Sequence, residues 1–296
     1  GDYMLIQQDV VEQRLHEDAV SYGGWSIDLH PADGVFGNKP GCNQWHSKGV
    51  YQIPYRCFYS KDIDNLFLVG RIISASHVAF GSSRVMATSA HGAQAVAVAA
   101  SICLQKHLTP REVYTRGFVP QLQKELLRMG QYIPQVTVKD EENLIHKATL
   151  SASSEFQLNA LPANGTMKPL EESTAQMIPL RKEDKLEGIR IHLSALEDTV
   201  LETELRISSK PYNHTPDITL AVQTYTVDQG THELTIGFEA VIPEDQYAFL
   251  VFKKNPAILL SYTTQRISGI LSVFNTVNEA VSNRGKQVPD GDIGVD

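Results

Sequence analysis

Along the 296 residues the spacing of apolar positions changes character once. In the first half, helical spacing alternates with short strand-like runs. Asp2 to Leu5 reads as a strand and Gln8 to Tyr22 as a helix with Val10, Val11, Leu15 and Val20 on one face, ended by Gly23-Gly24. Trp25 to His30 alternates, so Trp25, Ile27 and Leu29 point one way and Ser26, Asp28 and His30 the other. A loop rich in Gly, Pro and Asn then runs to Gly49, and Val50 to Phe58 is a strand in which Pro54 marks an edge or a bend. Asn65 to Val69 is a short apolar strand bounded by Asp62, Asp64 and Gly70. A polar loop from Gly70 to Ser83 leads into one long helix, Arg84 to about His107, with Ser82 and Ser83 as candidate caps. That helix is built of small residues, Ala87, Ala90, Gly92, Ala93, Ala95, Ala97, Ala99 and Ala100 among them, which lets it lie close to a neighbour.

Thr109-Pro110 supplies an N-cap and a first helical residue for a helix running towards Met129. Val119-Pro120 kinks or divides it, and Gly130 stops it. The stretch QYIPQVTVKDEENLIHKA is polar and reads as a linker. From Thr149 the period is two: EGIRIHLSAL, TVLETELRIS, DITLAVQTYTV, HELTIGFEAVI and YAFLVFKK are separated by turn signals such as Glu197-Asp198 and Asp228-Gln229-Gly230. Short, regularly spaced strands of this kind make an antiparallel β-sandwich. The expected class is therefore α+β, with an α/β-type part over residues 1–135, a linker over 136–148 and an all-β sandwich over 149–296.

Charge separates the same two parts. Up to residue 140 there are 13 Lys/Arg against 12 Asp/Glu, and beyond it 13 against 22, which together give the net −8. Neither part is basic enough for nucleic acid, and the acidic second part repels phosphate backbones. Cys42, Cys57 and Cys103 are odd in number and lack CxxC spacing, so neither a disulfide framework nor a zinc site is expected, and no metal ligands are assigned. The Ala-rich segment is interrupted by His91, Gln94 and Ser101 and reads as a buried core helix, not a membrane span. GxSxG, HExxH and GxxxxGK[ST] are all missing.

The candidate chemistry gathers around the loop before the long helix. The unpaired N–H groups and positive dipole end of that helix suit a phosphate or a carbonyl gaining negative charge. An imidazole is the side chain whose ordinary titration lies near neutrality, which makes His77 the foremost candidate for proton transfer, with a hydrogen bond to a cofactor or a capping role as alternatives. Arg56, on the strand before this block, suits a substrate carboxylate or charge stabilisation, or else a structural ion pair with Asp62 or Asp64. Arg71 suits a phosphate or a neighbouring carboxylate, His91 is a packing histidine, and His30 and His46 are candidate substrate contacts.

The order of strand, Gly-Arg, Ser-x-Ser-His, Gly-Ser-x-Arg-Val and Ala-rich helix resembles the end of the flavin-binding domain in FAD-dependent oxidoreductases. The residues that carry the likeness are Gly70, Arg71, Ser74, Ser76, His77, Gly81, Ser82, Arg84, Val85, Thr88, Gln94 and Ala95. The resemblance implies FAD in the complete protein, with Gly70, Arg71, Ser74, Gly81, Ser82, Ser83, Arg84 and Val85 against it. It also implies hydride transfer to or from an organic substrate, with His77 and Arg56 in catalysis. The strands at Trp25 to His30 and Val50 to Phe58 would roof the flavin as part of a substrate domain. Relatives carry glycines where this chain has Ala93 and Ala97. No GxGxxG for the pyrophosphate occurs, and the chain is expected to be a middle-to-C-terminal piece of a longer enzyme, inactive alone. In the second part, KATLSASSEF resembles the first strand of galactose-binding-like jelly rolls. That suggests an alternative, a carbohydrate-associated module with Tyr212, Tyr225, Tyr247 and Tyr262 available for stacking on sugars.

Overall fold

A computed structural model describes residues 1–38, 41–45, 49–137, 141, 143–155, 159–211, 216–265 and 272–274. The chain divides into two units, Gly1–Ser151 and Ala152–Asp296.

In the first unit, α1 (Gln7–Glu12) is much shorter than the apolar spacing suggests. Gln13 takes a left-handed conformation (φ 53°) and ends it. The chain then enters β1 (Ala19–Gly23), which pairs antiparallel with β4 (Tyr51–Pro54). Both strands are buried on both faces, so neither shows the period of two that marks a half-exposed strand. Trp25 to His30 condenses to β2 (Ile27–Leu29), paired antiparallel with β3 (Asn43–Trp45). The expected strand at Val50 to Phe58 turns at Pro54 into a 3-10 turn, Tyr55–Cys57. At the chain start and at Asn65 to Val69 only isolated bridges form, Leu5 with Ala75 and Tyr59 with Phe67.

The expected loop between Gly70 and Ser83 contains a helix, α2 (His77–Ser83). Ser76 caps it, its Oγ accepting from the Ala79 N–H at 3.3 Å. The long helix follows as α3 (Met86–Lys106), with Val85 as its N-cap. Ser82 and Ser83 therefore lie inside α2 and do not cap α3. Thr109 and Glu112 form a reciprocal capping box for α4 (Pro110–Thr115), and Val119-Pro120 opens a separate α5 (Val119–Arg128). Gly117 and Gly130, at φ +75° and +84°, make the two breaks. Val119, Leu122 and Leu126 line the buried side of α5.

On length and composition alone, α3 is apolar enough to cross a membrane, contrary to the expectation from its interruptions. Thr88, Gly92, Ala95, Ala99 and Ile102 are buried, and Ala95, Ala99 and Ile102 share one core with Leu5, Val20, Ile53, Tyr55, Phe58, Leu122 and Leu126. Met86, Ala90, Ala93, Ala97 and Leu104 face outward. Gly92 is where the helix touches Phe58 most closely, since a Cβ there would come within 2.6 Å of the Phe58 ring.

The second unit is a sandwich of two antiparallel sheets. One orders β10 (Gly230–Ile236), β7 (Ile189–Ala195), β12 (Asn255–Ser261) and β5 (Met167–Leu170). The other orders β13 (Ser272–Phe274), β6 (Thr174–Leu180), β11 (Gln246–Phe252), β8 (Thr199–Ile207) and β9 (Ile218–Val227). Residues of both sheets meet in one core, including Ile191, Leu193, Leu201, Leu205, Leu250, Phe252, Ile258 and Leu260. The alternation read in β11 breaks down because both of its faces are covered: Phe249 and Val251 join Ala175 and Met177 in a second cluster. KATLSASSEF forms no strand as far as Glu155, its last residue lying outside the described residues. Of the tyrosines noted for sugar stacking, Tyr262 is buried, Tyr225 and Tyr247 are half-buried, and Tyr212 lies outside the described residues.

Replacing Gly92 with Ala tests the α3 contact. Ala gains up to about 1 kcal/mol in helix propensity, whereas forcing a methyl against a packed ring costs about 1–3 kcal/mol. Gly92→Ala should lower the melting temperature, and Phe58→Leu in the same chain should recover part of the loss. A higher melting temperature for the single variant would show that the ring yields freely.

Candidate functional site

The block before α3 is held by main-chain bonds. Leu5 N–H donates to the Ser74 carbonyl at 2.9 Å, Ser76 N–H to the Leu5 carbonyl at 2.8 Å, and Ser74 N–H to the Cys57 carbonyl at 2.9 Å. Residues 74 to 76 are thus fixed between the chain start and the turn after β4. From there α2 runs beneath β2. Gly81 makes the crossing possible, because a Cβ would lie 3.1 Å from the Asp28 carbonyl oxygen and 3.0 Å from Leu29 Cδ2. Ser82 is used internally: its hydroxyl donates to the Trp25 carbonyl at 2.5 Å and accepts from Tyr51 at 2.8 Å. The Ser83 hydroxyl is buried and has no partner among the described residues.

Arg84 ends α2, and its Nη2 reaches across to β2. It donates to Asp28 Oδ2 at 3.1 Å and to His30 Nε2 at 2.8 Å, with the Asp28 carbonyl at 3.4 Å. His30 in turn lies 2.8 Å from the Gly41 carbonyl through Nδ1. Asp28 Oδ1 is buried without a partner among the described residues. Two residues on, α3 begins with no side-chain cap, and Met86 and Ala87 are exposed. Its first-turn N–H groups thus have no side-chain cap among the described residues, and the helix begins two residues after Arg84.

The structure thus brings Gly81, Ser82, Ser83, Arg84, Val85 and His30 together at one crossing. Gly70, at φ +68°, and Arg71 form a separate 3-10 turn, Gly70–Ile72, where Arg71 is exposed and without a partner among the described residues. Ser74 sits in the main-chain ladder described above. His77 is the first residue of α2 and is exposed, also without a partner among the described residues. His46 lies outside the described residues. Sequence reading left out Asp28, Tyr51 and the Gly41 carbonyl. The signal for Asp28 was present, since period two puts it on the side of the strand that carries His30.

Arg56 has another setting. Its Nε and Nη2 donate to Asp18 Oδ2 and Oδ1, both at 2.9 Å, and its own N–H donates to Oδ2 at 3.1 Å. The partner is Asp18, and not Asp62 or Asp64. The guanidinium lies 5.3 Å from the centre of the Tyr3 ring and 4.8 Å from that of Tyr114. Tyr3 donates to both oxygens of the buried Asp9, at 2.9 and 3.0 Å. Burial, and then the bond to Asp9, push the Tyr3 phenol up to about 12.

A raised phenol pKa makes stability depend on pH at the alkaline end. Below the unfolded value near 10 the contribution is fully present, and it is lost as pH rises towards about 12, because the unfolded chain releases its proton first. Burial pushes Tyr51, Tyr55 and Tyr59 in the same direction. Thermal melts between pH 9 and pH 12, run at steps of about half a unit, should show a steep fall that Tyr3→Phe makes shallower. Superimposable profiles for the two proteins would remove Tyr3 from the titrating set.

Comparison with known proteins adds one finding. Residues 1–126 match the family model described as FAD dependent oxidoreductase, while no curated protein and no solved structure matches the chain. The matched stretch contains the Asp18–Arg56 pair, the Arg84 crossing and the whole of α3. Over residues 1–126, less than half of the chain, the sequence is accordingly similar to the FAD-dependent oxidoreductase family.

Proposed function

We propose that the first unit serves hydride transfer between FAD and an organic substrate, with the flavin ring seated at the start of α3. The observation that carries this reading is the uncapped first turn of a long helix placed directly after Arg84. N–H groups without a side-chain cap and a neighbouring guanidinium favour a ring carbonyl that gains negative charge on reduction. The buried, unpartnered Ser83 hydroxyl at the same crossing supports a polar ligand there. FAD would supply a two-electron acceptor or donor, and this chain's residues would hold it and move protons beside it.

On this reading Arg84, Val85, Met86 and Ala87 meet the ring edge, and Gly81 lets β2 come close enough to roof it. Ser82 acts through packing, since Trp25 and Tyr51 already use its hydroxyl. Arg71 and His77 are the free ionisable groups of the block and suit the phosphate-bearing tail and the substrate side respectively. Arg56 is assigned to positioning: Asp18 occupies its Nε and Nη2, and a substrate carboxylate would have to compete with that bidentate pair. The residues at hand fit the ring end of the cofactor.

FAD fluorescence, titrated with the chain as it stands, tests the placement. Saturable quenching is expected, weakened at least tenfold by Met86→Asp, which sets a carboxylate at the helix start where the ring carbonyl should lie. Saturable quenching that Met86→Asp leaves unchanged would overturn the seating of the ring at α3.

A further inference from the structure

The contacts around His30 determine where its hydrogen lies. Arginine has no acceptor, so at 2.8 Å Arg84 Nη2 donates and His30 Nε2 accepts. A carbonyl has no hydrogen, so at 2.8 Å from Gly41 the other nitrogen, Nδ1, is the donor. The ring is therefore neutral and carries its hydrogen on Nδ1. Asp28 completes the set. Its Oδ2 is 3.1 Å from the same Arg84 nitrogen and 3.6 Å from His30 Nε2. The carboxylate draws the guanidinium onto the imidazole and offsets the charge the imidazole would acquire on protonation.

The arrangement is a base with its lone pair covered. Arg84 is about a third exposed and His30 about half exposed, so a ligand can reach both. We infer that His30 is the proton acceptor of the oxidation, positioned by Asp28 through Arg84, and that Arg84 leaves Nε2 when an anionic group draws it away. The inference rests on the flavin reading above. It points to a hydroxyl-bearing substrate, because an accepting nitrogen serves a group with an acidic hydrogen to lose. As the carbinol carbon passes its hydride to flavin, the O–H bond breaks and its electron pair forms the carbonyl. The proton goes to Nε2 and makes imidazolium. The substrate loses two electrons and flavin gains them.

Ring tautomers can be read directly from the two nitrogen shifts of a histidine, in the nitrogen-15-labelled chain at neutral pH, with His30→Gln to assign the signals. Wild type should show Nδ1 protonated and Nε2 bare. Arg84→Met should move the two shifts towards each other, because an imidazole released from the guanidinium keeps only the Gly41 carbonyl to hold its hydrogen on Nδ1, and Asp28→Asn should do so to a smaller degree. Arg84→Lys retains a donor and should keep the wild-type pattern, which separates positioning from a general loosening of the fold. A wild-type ring protonated on Nε2, or a pattern that neither Arg84→Met nor Asp28→Asn alters, would overturn the role of His30. The spectra contain no flavin, so they fail or succeed independently of the FAD titration. If either variant melts early, the wild-type tautomer and the Arg84→Lys spectrum still decide the matter.

Discussion

The buried carboxylate of Asp18 is the constraint to which the first unit answers. Its side chain is fully enclosed, and a lone charge in that position would be untenable, so the chain must bring a partner to it. Arg56 meets it with two side-chain donors and one main-chain donor, while the Asp18 carbonyl accepts from Tyr55 N–H at 2.7 Å. These bonds fix the residue before β1 against the turn that follows β4. Once that junction is set, β1 and β4 lie in register, Phe58 is turned towards α3, and the segment carrying Ser74 and Ser76 has Cys57 to pair with. Tyr3 and Tyr114 flank the guanidinium, and because the Asp18 carboxylate is fully enclosed the loss of its partner would be strongly damaging.

What could be read from the residues, and what could not, follows from how each element is satisfied. The long Ala-rich helix, the Thr109-Pro110 start, the Val119-Pro120 division and five of the sandwich strands announce themselves, because propensity, capping and period all act locally there. The short elements did not. A helix predicted from Gln8 to Tyr22 stops at Glu12 because Ala19–Gly23 finds β4 as a partner some thirty residues on, and strand pairing outweighs apolar spacing. The loop expected at Gly70 to Ser83 conceals α2, whose cap Ser76 was visible but competed with several other serines.

The site shows the same division. Arg84 and Gly81 stand out as residue types, one able to hold an anion and the other able to admit a close backbone. That they meet β2 is a tertiary fact, and the sequence holds only a trace of it in the alternation that puts Asp28 beside His30. Arg56 illustrates the converse. Its type and position suggested a choice between substrate and ion pair, and the pairing partner proved to be an aspartate of the preceding segment that no local pattern links to it.

The pairing order of the sandwich has a consequence for how the second unit forms. Leu170 of β5 pairs with Asn255 of β12, and Thr174 of β6 with Phe252 of β11, so the earliest strands have partners about eighty positions downstream. Hairpin β8–β9 can close as soon as it is made, whereas β6 stays unpaired until synthesis has passed Phe252 and β5 until it has passed Ser261. A sheet whose first strand waits for a partner this far downstream carries the loop-closure entropy of more than half the unit before the pairing rewards it, and folds slowly for that reason. During that interval Ala175 and Met177, which pack against Phe249 and Val251 in the folded unit, are uncovered in the growing chain and add to the apolar surface through which nascent chains can associate.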